Sequence, residues 1–140
     1  MTVERTDSPL TVRHRVAIVL VLLAGCADGA RLWPASGKVL FRDGRPPGGG
    51  VVELKPLGAE GRPARGAIRP DGGFSLETGG LRGARAGRYR VAVFPPLIVG
   101  HTPHGGGLAP RYARFDESGL EIEIPRGGTD ALSVTVEEAD

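Results

Sequence analysis

Along Leu120-Glu121-Ile122-Glu123-Ile124 apolar and charged side chains take strict turns, and Leu132-Ser133-Val134-Thr135-Val136-Glu137 repeats the pattern. A period of two puts every apolar side chain on one face of an extended strand and every polar one on the other. The same alternation runs through Val51 to Leu57, with Val52 and Leu54 opposite Glu53 and Lys55. It recurs through Gly87 to Phe94, with Tyr89, Val91 and Val93 opposite Arg88 and Arg90. Phe74-Ser75-Leu76-Glu77 is a shorter example, Val39-Leu40-Phe41 follows Gly37-Lys38, and Ala64 to Arg69 supplies one more short strand. Between these runs stand the glycines and prolines, 23 and 12 of the 140 residues, gathered at 44–50, 58–66, 70–73, 79–87, 95–110 and 125–128. Such placement is turn punctuation, not the aperiodic enrichment of a disordered chain. No segment after residue 25 keeps a helical apolar period over three turns. Short strands with one apolar face each bury those faces by packing as two sheets. The expectation is an all-β fold, a single antiparallel β-sandwich of about seven strands.

The first 25 residues obey a different rule. Arg13 and Arg15 precede an apolar run from Val16 to Leu22, and the small residues of Leu23-Ala24-Gly25 stand directly before Cys26, the only cysteine. This order of basic, apolar and small segments is that of an export signal, expected to be helical from about Thr11 to Gly25. A membrane-spanning helix needs about 20 apolar residues, and the run ends before Asp28 and Arg31. With no second cysteine an internal disulfide is impossible, and a bare thiol in an exported chain is a reactive liability. Leu23-Ala24-Gly25-Cys26 resembles the bacterial lipobox. The resemblance implies that Cys26 receives a diacylglyceryl thioether, that the chain is cut before it, and that the freed amine takes a further acyl chain such as palmitate. Residues 1–25 are then a lipoprotein signal peptide, and 26–36 a lipidated tether. Two or three acyl chains, at about 0.8 kcal/mol per buried methylene, hold a protein permanently at a membrane. Ala27, not an acidic residue, follows Cys26, which by the same resemblance leans toward the outer membrane and a periplasmic or surface location.

Charge excludes one class of partner. Residues 1–25 carry Arg5, Arg13 and Arg15 against Glu4 and Asp7, so the remainder keeps 15 of the 18 basic and 14 of the 16 acidic residues. That near balance, without basic runs interleaved with aromatics, gives no nucleic-acid surface. Arginine outnumbers lysine 16 to 2 and Asn and Gln are absent, a composition that reads as codon bias.

The order Gly37-Lys38-Val39, Asp43-Gly44-Arg45-Pro46, Val51 to Pro56, Pro70-Asp71-Gly72-Gly73-Phe74-Ser75-Leu76, Gly87-Arg88-Tyr89-Arg90-Val91, Pro110-Arg111-Tyr112 and Ser118-Gly119-Leu120 resembles small exported bacterial proteins with a carboxypeptidase-regulatory-like, or transthyretin-like, β-sandwich. The likeness runs from Gly37 to about Val136 and implies such a sandwich over 37–138. Each piece also has a scaffold role: Asp43-Gly44 and Asp71-Gly72 are turn residues, and Phe74 and Tyr89 are large core faces. A pattern of scaffold residues fixes a fold more than a chemistry.

Candidates for chemistry are sparse. His101-Thr102-Pro103-His104 offers two imidazoles in a glycine-rich segment with no Cys, Asp or Glu beside them, short of the three or four ligands a zinc site wants. The Tyr-Arg-Gly-Ser terminus of the ring-opening hydrolases with the transthyretin fold is missing. Gly48-Gly49-Gly50 and Gly105-Gly106-Gly107 lack the Lys-Ser/Thr of a phosphate loop, and Ser118-Gly119 stands at a strand entrance rather than in a nucleophile elbow. No catalytic residue, metal or cofactor is expected. Pro95 to Asp116 is the longest stretch without strand pattern, and loops of that length are functional or mobile. Within it Leu97, Ile98, Val99, Arg111 and Tyr112 are the candidate contact residues for an envelope protein or glycan. The leading expectation is a non-catalytic, lipid-anchored binding or structural module. The alternatives are a small transthyretin-like hydrolase or metal-dependent enzyme using the 95–116 loop, and a carbohydrate-binding module.

Overall fold

The computed structural model describes residues 31–58, 61–97 and 107–140. The signal, Cys26, Ile98, Val99, His101 and His104 lie outside the described residues. Residues 31–140 form one compact unit of nine strands: β1 (Ala35–Phe41), β2 (Val51–Pro56), β3 (Ala64–Ala67), β4 (Gly73–Ser75), β5 (Glu77–Thr78), β6 (Leu81–Arg82), β7 (Gly87–Phe94), β8 (Leu120–Ile124) and β9 (Thr129–Val136). They make a three-stranded sheet, β4-β1-β9, and a six-stranded sheet, β6-β5-β3-β2-β7-β8.

The alternation does what the sequence requires of it. Val39, Phe74, Leu132, Val134 and Val136 of the small sheet meet Val52, Leu54, Tyr89, Val91, Val93 and Ile124 of the large one in a continuous core. Each fully buried aliphatic or aromatic side chain contributes roughly 1.5–3 kcal/mol. The all-β sandwich is the fold. The two strands beyond the expected seven are β5 and β6, a two-residue hairpin around Gly79-Gly80 too short to show a period.

Antiparallel pairing holds everywhere except between β1 and β9. These run parallel, Gly37 opposite Leu132 and Phe41 opposite Val136, with an irregularity between Ala35 and Gly37. A parallel pair needs a long connection between its strands, and here the rest of the domain serves. Gly37 permits the close approach: a Cβ there would stand 2.0 Å from the Leu132 carbonyl oxygen.

Two other expectations are corrected. Ile122, on the cleanest alternation, is only partly buried, as is Leu120, because β8 is the outer strand of the larger sheet; Ile124 is buried. The sandwich also begins earlier than Gly37. Trp33 exchanges two backbone hydrogen bonds with Ala84, at 2.8 and 2.9 Å, so residues 33–36 belong to the domain and not to a tether.

Both Asp-Gly turns form. In the first, the Asp43 carboxylate accepts from the Arg45 backbone N–H at 3.0 Å while Gly44 takes φ +88°. In the second, Asp71 accepts from the Gly73 N–H at 2.9 Å and Gly72 takes φ +87°.

Candidate functional site

After β7 the chain leaves through Pro95-Pro96-Leu97, with Leu97 99 % exposed. It returns along 107–109, pinned to the end of β9. Ala109 N–H donates to the Glu137 carbonyl at 3.1 Å, and Ala139 N–H to the Gly107 carbonyl at 2.7 Å. Pro110 then opens a 3-10 turn, Pro110–Ala113, where its missing N–H and fixed φ suit the first position.

The turn splits the two candidates it carries. Tyr112 points into the core and is 4 % exposed, so its ring is a packing group and not a contact surface. That corrects its assignment: an aromatic in an unpatterned loop is as apt to anchor the loop as to meet a partner. Arg111 stays outside, stacked over the Tyr112 ring at 4.8 Å, and donates to the Tyr112 hydroxyl at 2.9 Å and to the Glu137 carboxylate.

Glu137 joins two other strand ends. Arg42 lies 2.6 Å from its carboxylate, and Arg45 bridges Asp43, at 2.6 Å, to Glu138. The parallel register creates this cluster, because pairing Phe41 with Val136 sets Arg42 and the following turn beside Glu137 and Glu138. Electrostatics follow from the contacts. The Arg111 guanidinium holds the Glu137 carboxyl below its ordinary value, with Arg42 adding to the effect. The Tyr112 hydroxyl and then the Glu137 carboxylate raise Arg111. The Arg45 backbone N–H, then its side chain, lower Asp43. The groups satisfy one another, so the cluster fixes strand ends and the incoming loop. None of its members stands free to act as an acid or base.

Ser118 is likewise structural. It is buried, donates to the Val91 carbonyl and accepts from the Leu120 N–H at 3.2 Å, which pegs the entrance of β8. Arg88 pairs diagonally with Glu121 at 2.9 Å across β7 and β8, an exposed pair of the kind worth about 0–1 kcal/mol. On the outer face of the large sheet, Glu53, Lys55, Pro56, Leu57, Pro63 and Phe115 line an open cleft of about 640 Å³. Its walls are chiefly proline, leucine and the Phe115 ring, with one carboxylate and one ammonium. Among the described residues no three His, Cys, Asp or Glu side chains converge as a metal would require.

The charged cluster carried little signal in the sequence. Arg42, Arg45, Glu137 and Glu138 are near neighbours only once the β1–β9 register is known. Comparison with protein families, with curated proteins and with solved structures finds no match for this chain.

Proposed function

We propose that this is a lipid-anchored protein of the bacterial envelope whose β-sandwich works as a binding or structural module without catalysis. One observation carries the reading: two arginines, an apolar run and Leu23-Ala24-Gly25 stand in order before the sole cysteine, Cys26. That arrangement accounts at once for export and for the lone thiol. The non-catalytic part draws support from the way the polar groups of the sandwich are used, since Arg42, Arg45, Arg111, Asp43, Glu137 and Glu138 bind one another and Ser118 binds backbone. The site offered to an envelope partner comprises the exposed Leu97 and Arg111, together with Ile98 and Val99, which lie outside the described residues.

Fatty-acid labelling and detergent fractionation of the full chain against Cys26→Ser tests the anchor. The wild type takes up label and stays with the membrane. The serine variant, still folded, takes up none and appears in the aqueous fraction. Equal labelling and equal retention of both would overturn the reading.

A further inference from the structure

The arginines are not spread evenly over the sandwich. One end gathers residues 31–34, the two sides of the β2–β3 loop at 57–58 and 61–63, the β5–β6 hairpin with 83–86, and the β8–β9 turn at 125–128. Contacts tie these stretches together: Trp33 is bridged to Ala84, the Thr129 N–H donates to the Pro34 carbonyl at 2.9 Å, and the Leu57 N–H donates to the Arg88 carbonyl at 3.1 Å. A Cβ on Gly79 would stand 3.9 Å from the Arg62 guanidinium. In sequence these stretches hold Arg31, Arg62, Arg82, Arg85 and Arg126 against two carboxylates, Glu77, which lies opposite Arg82 in the β5–β6 hairpin, and Glu60, which lies outside the described residues. Arg31, Arg62, Arg82 and Arg126 are exposed. Arg31 stacks over the Trp33 ring at 4.5 Å, while Arg62, Arg82 and Arg126 form no ion pair among the described residues. Leu81, 66 % exposed, and Leu57, 43 % exposed, stand among them.

We propose that this end is a docking surface for anionic lipid headgroups, an inference that rests on the lipid anchor proposed for Cys26. The chain enters the domain at the same end. Four residues, 27–30, separate Cys26 from Arg31, and the five steps between them, fully extended, span at most about 18 Å. An eight-residue strand such as β7 is about 26 Å long. The tether is shorter than the domain is tall, so the opposite end cannot be turned to the bilayer. The end held there has the chemistry of an anionic surface: an excess of guanidinium groups with two leucines placed to enter the headgroup boundary. Asp28 in the tether, Glu60 and Glu77 oppose the attraction without cancelling the four exposed arginines, Arg31, Arg62, Arg82 and Arg126. Each basic group near an anionic surface favours contact about fivefold.

Trp33, the sole tryptophan, stands at this end and reports on it. The lipidated full chain is reconstituted into vesicles of phosphatidylcholine alone, or of phosphatidylcholine with phosphatidylglycerol, each made with brominated acyl chains that quench tryptophan. Flotation first shows that the protein is anchored. Quenching of Trp33 is then at least about twofold stronger on the anionic vesicles, consistent with several such contacts, and falls to the neutral level in about 1 M salt, where the screening length is about 3 Å. The triple variant Arg62→Glu, Arg82→Glu, Arg126→Glu gives the neutral level on both lipids, and the milder Arg→Gln triple replaces it if the first fails to fold. Arg69→Glu, at the opposite end, keeps the wild-type response. Co-flotation with equal quenching on both lipids, or a response untouched by the triple variant, overturns the docking surface and leaves the anchor standing. An equal loss with Arg69→Glu overturns it in favour of net charge. Failure of the wild type to co-float overturns the anchor and the surface together.

Discussion

The two ends of the sandwich are built from the same residue types and use them oppositely. At the end where β1 and β9 finish, Arg42, Arg45, Arg69 and Arg111 each meet a carboxylate. At the end where those strands begin, Arg62, Arg82 and Arg126 meet none among the described residues. Composition is therefore a poor guide to the surface of this protein. The near balance of charge over residues 26–140 hides one end where charge is spent internally and another where it is presented outward. Of two aromatics that hold incoming chain, Tyr112 at the paired end is buried and Trp33 at the arginine-rich end is half-buried, although Tyr89 is buried near the latter end as well, its hydroxyl donating to the Arg85 carbonyl at 2.8 Å.

That contrast breaks first if the two aromatics turn out to matter equally. Tyr112→Ala should destabilise the fold by about 3–5 kcal/mol, the range for removing a buried aromatic ring. It also strips Arg111 of both its stacking partner and a hydroxyl acceptor. Trp33→Ala leaves the two backbone bonds to Ala84 in place and should cost less than half as much. Urea denaturation of both variants measures the difference. Equal costs, or a larger cost for Trp33, would mean that the start of the domain is as firmly packed as its charged end.

Glycines sharpen the comparison at smaller magnitude. Gly72, in the turn behind Arg69 and Asp71, and Gly80, in the β5–β6 hairpin, have nearly the same backbone, φ +87° and +83°. Alanine at either position bears the strain of a left-handed residue, about 1–2 kcal/mol. At Gly72 the new Cβ would also stand 2.5 Å from the Val39 carbonyl oxygen, whereas at Gly80 nothing lies within 4 Å. Gly72→Ala should therefore lower the urea midpoint more than Gly80→Ala. The reverse order would place the tighter backbone packing at the arginine-rich end.

What could be read in advance follows the same division. Strand faces such as Val52 and Leu54, or Tyr89, Val91 and Val93, were legible because period two is a local signal and both sheets bury one face. The Asp43-Gly44 and Asp71-Gly72 turns were legible because a carboxylate and a positive φ are satisfied within four residues. Nothing local reveals that β1 runs parallel to β9, since the partners are about 95 residues apart, and the Arg42–Glu137 pair depends on that register. Ile122 shows the limit of alternation: the pattern says which face is apolar but not whether another sheet covers it. Tyr112 shows the converse, a core residue with no periodic context to announce it.

The smallest effect tests the pairing itself. Glu137 is held below its ordinary value, first by the hydrogen bond from Arg111 and also by the charge of Arg42. A carboxylate whose folded value is lowered binds fewer protons in the folded state than in the unfolded one. Its stabilisation is therefore present above the ordinary glutamate range and is lost as the pH falls through the lowered value. Glu137→Gln keeps the shape and one acceptor but removes the charge. The variant should be slightly less stable than the wild type at neutral pH, and the gap should close on the acid side of the glutamate range, where the wild-type carboxyl is itself neutral. Added salt at neutral pH should narrow the gap as well, since both partners are partly exposed. Urea midpoints of the two proteins across that range decide it: a gap that persists unchanged in acid would mean that Glu137 acts through packing, and that the two ends differ in shape rather than in how their charges are used.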